Sequence, residues 1–195
     1  MTGARPQGGA QFGAQVGAQV SALAAARFRA LVPPLLDDAY SLARWLARDG
    51  DDAEDIVQEA AVRALRALET TVVERPKPWF LAIVRNAALT WMARNRAESL
   101  AFAGGLDDLD GLSPADGRDG PADPEATLIA AEEGRRLRRA LASLPPSFLE
   151  IVVMRDVNGL SYRDIAEAAG LPIGTVMSRL SRARGVLAQL MRAAP

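Results

Sequence analysis

The chain has 195 residues, no cysteine and no histidine, and its 23 Lys+Arg nearly balance 24 Asp+Glu. Those absences exclude a disulfide framework, a Cys/His metal site, a histidine general base and a Ser-His-Asp triad. With 38 alanines and only 10 aromatic residues, the composition favours helix over strand, and the expected fold is all-α, soluble and intracellular.

Residues 9–20 repeat Gly-Ala-Gln three times, with glycine at every fourth position, which weakens a helix. Residues 1–23 are therefore expected to be a disordered Gly/Ala/Gln-rich extension. They lack the continuous apolar core of a signal peptide, and no segment approaches the ~20 apolar residues of a membrane span. Trp79 to Val84, the longest uninterrupted candidate, is far too short.

A first helical block is expected over 24–97. Residues 49–59 hold six acids and no base. Asp51 and Asp52 precede an amphipathic stretch, with Asp55 placed as a reciprocal acid three residues after an N-cap at Asp52. Ala53, Val57, Ala60, Ala61, Ala64, Leu65 and Leu68 recur at helical spacing and form the expected inward face. Glu54, Asp55, Gln58 and Val62 lie on another face, either simply solvated or a docking surface for a basic partner. Pro76 and Pro78 then end one segment and start the next. Phe80, Ile83, Val84, Ala87 and Trp91 make a second core stripe. Residues 75–96 hold five bases and no acid. Trp79 and Asn86, seven apart, share a side of this helix. They read equally as a core tryptophan with a solvated amide, or as a basic stacking surface for single-stranded nucleic acid; periodicity alone does not choose.

Residues 98–125 carry eight acids, one base, five glycines and three prolines, the composition of a flexible acidic linker. The second block, 126–195, contains a short helix opened by Leu144-Pro145-Pro146 and ended by Asn158-Gly159. Ser161 and Asp164 fit a capping box. Gly170-Leu171-Pro172 makes a turn into a helix from about Ile173 to Met191. Helix, tight glycine turn, helix is the helix-turn-helix pattern. On the second helix Val176, Leu180, Ala183 and Leu187 cluster inward. The opposite face shows Thr175, Ser178, Ser181 and Arg182, donors suited to base edges and phosphates. Arg179 and Arg184 flank it, and Arg163 lies near the start of the preceding helix. No acid occurs from 173 onward, as a surface facing phosphate requires.

These motifs, in this order, resemble a bacterial RNA polymerase sigma factor of the sigma-70 family, in its extracytoplasmic-function (ECF) group. Ala53-Glu54-Asp55-Ile56-Val57-Gln58-Glu59 resembles the segment that binds the polymerase clamp. Trp79 to Asn86 resembles the promoter-melting helix, and Asn158 to Ala166 with Gly174 to Arg184 resembles the minus-35 domain. The resemblance implies two small helical domains, region 2 over 24–97 and region 4 over 126–195, on a 98–125 linker. It implies polymerase binding by Glu54, Asp55, Gln58 and Glu59. It implies minus-10 DNA binding by Lys77, Trp79, Arg85, Asn86, Arg94 and Arg96, and minus-35 DNA binding by Arg163, Thr175, Met177, Ser178, Arg179, Ser181, Arg182 and Arg184. The implied partners are core RNA polymerase, promoter DNA and an anti-sigma factor. The implied location is the cytoplasm, with no membrane insertion, no catalytic residue, no metal and no cofactor. Leu81, Ala82, Thr90, Ala93, Phe148 and Met177 depart from the family's common residues, which bears on promoter sequence rather than membership. The competing reading is a stand-alone helix-turn-helix regulator whose first block senses a ligand or partner; the acidic Glu54–Glu59 stripe separates the two, since only a sigma factor needs it.

Overall fold

The computed structural model describes residues 21–95 and 124–193, and every regular element among them is helical. The expected disorder of 1–20, most of the expected linker (98–123) and Arg96 lie outside the described residues. Residues 21–23, expected in the disordered extension, instead belong to helix α1, which covers 21–31. The composition there turns from Gly/Gln to Ala/Leu, and Ala24 is buried.

A 3-10 turn at Pro33–Leu35 leads into α2 (Leu36–Ala47). This helix ends at Arg48 in the left-handed region, φ 68°, a conformation glycine usually supplies. Helix α3 (Gly50–Ala67) starts earlier than its pattern suggests, because its N-cap is Asp49 rather than Asp52. The extended backbone of Asp49 turns its carboxylate inward, where it accepts from the Asp51 N–H (2.8 Å) and the Asp52 N–H (3.3 Å). Asp51 and Asp52 thereby become first-turn acids, favourable to the helix dipole. Ala53, Ile56, Ala60 and Ala64 face the core, followed by Leu68. That arc is rotated towards Ile56 relative to the expected stripe, and Leu65 is left 37% exposed.

Helix α4 (Pro76–Arg94) begins on a proline, whose missing N–H costs nothing in a first turn. It buries Pro78, Phe80, Leu81, Val84, Ala87 and Ala88, an arc of about 180° rather than a narrow stripe. Between Pro76 and Met92, Asn86 is the one exposed residue. The width of that arc has a cause: α4 is covered on one side by α2 and α3 and on the other by a helix of the second half.

The second half comprises α5 (Pro124–Ala142), whose last two expected linker residues are already helical, then α6 (Pro146–Val152). A single π turn, Val153–Val157, extends α6. Helices α7 (Tyr162–Ala169) and α8 (Ile173–Ala193) follow. The capping box forms as expected: the Ser161 hydroxyl accepts from the Asp164 N–H, and the Asp164 carboxylate accepts from the Ser161 N–H. Gly170, φ 65°, makes the left-handed turn that separates α7 from α8. Val176, Leu180 and Ala183 are buried and Leu187 is half-buried, so the inward face of α8 is as expected.

The two halves share one buried core. Helix α4 packs on α7, and α2 on α6. Polar groups finish the seam. Arg48 donates to the Ala142 carbonyl (2.6 Å) at the C-terminus of α5, placing a cation where the helix dipole favours one. The buried Asn158 amide donates to the carbonyl (3.0 Å) and carboxylate (3.1 Å) of Asp38.

Phe80, fully buried, is expected to cost about 3–5 kcal/mol when cut to alanine. Ser161→Ala is expected to cost about 1 kcal/mol through loss of its cap. Chemical denaturation of the two variants checks both values and their order.

Candidate nucleic-acid interface

Four surfaces carry the residues singled out by the sequence. On α3, Glu54, Asp55, Gln58 and Glu59 are all exposed on the face turned away from the core. Glu59 pairs with Arg63 one turn on (2.6 Å), leaving Glu54 and Asp55 at the head of the stripe. The helix buries its alanines and Ile56 and presents carboxylates and an amide to solvent.

On α4, the residues separate by height around the helix. Trp79 is half-buried, its ring 6.5 Å from that of Phe80, so it anchors to the core while keeping an accessible part. Asn86 is exposed, and its backbone carbonyl accepts from the Thr90 hydroxyl (2.8 Å). Arg94 is exposed near the C-terminus. Lys77 pairs with Asp38 at 2.8 Å. Arg85 is turned towards the second half. Its guanidinium donates to both carboxylate oxygens of Glu150, at 2.7 and 3.2 Å, and to the Asn86 side-chain oxygen at 3.2 Å.

On α8, Met177, Ser178, Ser181, Arg182 and Arg184 are exposed, while Thr175 and Arg179 are half-buried. Ser178 donates to the Thr175 carbonyl at 3.0 Å. Arg184 pairs with Asp156 at 2.6 Å, and this hydrogen bond holds its pKa above the ordinary arginine value. Arg163 is exposed on α7, the helix before the turn. Gly170 turns the chain from α7, which carries Arg163, into α8, which carries the donor-rich face. Asn86, Met177 and Arg182 are exposed and lie outside the buried cluster.

The fourth surface is the seam, where sequence reasoning gave no partner to Arg75 or Glu150. Arg75, just before α4, is ion-paired with Asp164 and with Glu167 (2.7 Å). Glu150, on α6, is 2% exposed and lies 3.8 Å from Arg179 as well as beside Arg85. A signal for Glu150 existed: it is the one charge in the apolar run Phe148 to Met154. The described residues contain no cluster of three or more candidate metal-ligating side chains, and no helix long and apolar enough to cross a membrane.

An all-helical chain with a capped helix-turn-helix, a cation-rich helix in its first half and an acidic outward stripe has the design of a two-module transcription factor. The description of sigma-70 region 2 matches residues 31–98, and that of sigma-70 region 4 matches residues 134–187. The chain is 34% identical over 157 residues to the ECF RNA polymerase sigma factor SigE of Mycolicibacterium smegmatis, covering 79% of this chain and 57% of that protein. It is 31% identical over 145 residues to the ECF RNA polymerase sigma-E factor of Escherichia coli K12, covering 68% and 70% respectively. Its fold is similar to that of the sigma factor RpoE in complex with the anti-sigma factor NepR from Bartonella quintana, with TM-score 0.62, 25% identity and coverage of 87% and 99%. It is also similar in fold to CnrH in complex with the cytosolic domain of CnrY, with TM-score 0.61, 23% identity and coverage of 91% and 96%. The chain belongs to the sigma-70 family, in its ECF group, whose members are transcription initiation factors rather than enzymes.

The exposed Arg184–Asp156 pair is expected to add under about 1 kcal/mol to stability. Asp156→Ala should therefore leave the urea midpoint nearly unchanged, which an unfolding titration checks.

Proposed function

We propose that the chain binds core RNA polymerase and directs it to a set of promoters, with no catalysis and no cofactor of its own, and that it acts in the cytoplasm beside the polymerase. Residues 24–97 work as the region 2 module and 126–195 as the region 4 module, joined by 98–125. The observation that carries this reading is the collinear pair of family matches, with an outward acidic stripe on α3 in the first and a helix-turn-helix in the second.

Glu54, Asp55, Gln58 and Glu59 dock on the polymerase. Their exposure on a packed helix gives a rigid carboxylate surface for a basic partner, where charge complementarity favours both encounter and register. Lys77, Trp79, Arg85, Asn86, Arg94 and Arg96 meet the minus-10 element. Its separated strand needs aromatic stacking, cations for its phosphates and an amide for a base edge. Arg163, Thr175, Met177, Ser178, Arg179, Ser181, Arg182 and Arg184 meet the minus-35 element as duplex, with α8 in the major groove. The similarity to a sigma factor bound to an anti-sigma factor supports control by such a partner. A stand-alone regulator would use the helix-turn-helix alone, and the region 2 match speaks against it.

Reversing Glu54 and Asp55 to lysine together is expected to abolish binding to core polymerase while circular dichroism and thermal midpoint stay those of the parent chain. Binding retained by the folded double variant would refute the assignment. Arg182→Ala is expected to weaken binding of the reconstituted holoenzyme to minus-35 duplex by about 1–3 kcal/mol through loss of a base contact. An equal loss on scrambled duplex would make Arg182 a phosphate anchor instead.

A further inference from the structure

Helix α8 opens on an apolar pair in a surface otherwise rich in hydroxyls and arginines. Ile173 and Met177 are 50% and 52% exposed. Set four residues apart, they share one side of the helix, about 6 Å from each other along its axis. The same row of every fourth residue continues into Ser181, and Ser178 stands next to Met177; both serines are exposed donors of the proposed minus-35 face. Gly174, exposed and between the pair in sequence, adds no side chain to that surface. Val176, Leu180 and Ala183 already anchor α8 inward, so the fold itself has no need of a second apolar pair on the outside.

We propose that Ile173 and Met177 read the 5-methyl groups of thymine in the minus-35 duplex, so that thymine at one or two adjacent base pairs belongs to the promoter sequence this chain selects. This rests on the function proposed above and names what its recognition helix takes. Residues at the start of a helix lying in the major groove are the ones that meet base edges. In that groove guanine presents two acceptors, cytosine a donor, and adenine one of each; thymine alone presents an apolar group, its methyl. An alkyl chain and a thioether supply no hydrogen-bond donor and only the weakest acceptor. Pressed on guanine, cytosine or adenine, the pair would strip water from polar atoms and leave them unpaired. Pressed on thymine, it buries apolar surface against a methyl. An axial reach of about 6 Å covers no more than two base-pair steps of about 3.4 Å, which sets the number of positions read. Met177, with three rotatable bonds, settles on the methyl it meets, whereas the branched Ile173 is stiff and holds one position. The Ser178 and Ser181 hydroxyls, able to donate or accept, are left for neighbouring base edges and phosphates.

Holoenzyme reconstituted with the full chain tests this. A promoter fragment from a start site that it uses is given a randomised minus-35 segment, and the bound duplexes are recovered and sequenced. The parent chain is expected to enrich thymine at one or two adjacent positions. Replacing those thymines by deoxyuridine, which removes the methyl and keeps every hydrogen-bonding group, is expected to weaken binding about fourfold per methyl. Met177→Ala and Ile173→Ala are each expected to bind thymine and deoxyuridine duplexes equally at the position that the residue reads. Met177→Arg, which gains a fork for O6 and N7 of guanine, is expected to move the preference at its position from thymine to guanine. Val186→Ala, which alters another exposed apolar residue of α8 more than two turns further on, is expected to keep the parent's methyl dependence. Equal binding of thymine and deoxyuridine duplexes by the parent would overturn the proposal, as would alanine variants that keep the methyl dependence. Alanine variants that lose core polymerase with the methyl dependence intact would overturn it by placing the pair on polymerase. Holoenzyme that binds no promoter fragment at all would bring down the function reading, and this inference with it.

Discussion

The structure depends on a conflict placed on one helix. Helix α4 must bury about half its circumference to hold the chain together, yet it carries the tryptophan, arginine and asparagine proposed to meet an unpaired DNA strand. Covering α4 from both sides resolves the packing half of this conflict. Helices α2 and α3 pack against α4, as does α7 of the second half, within one buried cluster. The functional half is met by leaving Asn86 and Arg94 exposed and Trp79 half-buried on the same helix. The second half adds ion pairs to Arg75 and Arg85 around an apolar core that both halves share.

The same logic explains the distribution of charge. A net charge of −1 conceals acids on α3 turned outward, acids of α6 and α7 turned towards α4, and arginines on α8 turned to solvent. Each patch has a partner of opposite sign, whether within the chain or on the proposed polymerase and DNA. The helix-turn-helix adds rigidity where reading a base edge needs it. The Ser161–Asp164 box fixes the start of α7, Gly170 fixes its end, and Val176, Leu180 and Ala183 clamp α8 to the module so that its outer donors keep a fixed spacing.

Local features were legible in the sequence and distant ones were not. The capping box, the Gly170 turn and the inward face of α8 are set by residues within one or two turns, so composition and spacing reveal them. The N-cap of α3 was misplaced because Asp49, Asp51 and Asp52 are chemically alike, and only the extended backbone after Arg48 selects the first. Ile56 was passed over and Leu65 included because the phase of an alanine-rich face is weakly marked by size. The seam was invisible for a different reason: Arg85 and Glu150 are 65 residues apart, and Asn158 and Asp38 are 120 apart. No periodicity encodes such pairs. The one trace was a lone glutamate within an apolar run, which a buried ion pair explains and a surface helix does not. The exposed stripes on α3 and α8 were legible as faces, while their assignment to polymerase and promoter came from the family pattern.

The central proposal is that one chain meets core RNA polymerase through the outward acids of α3 and a promoter through the outward face of α8. Polymerase reconstituted with the full chain and supplied with genomic template tests it most directly. The account predicts RNA synthesis from a limited set of start sites with the parent chain and none with Glu54 and Asp55 reversed to lysine. Initiation at the same sites without the chain, or with the folded double variant, would contradict it.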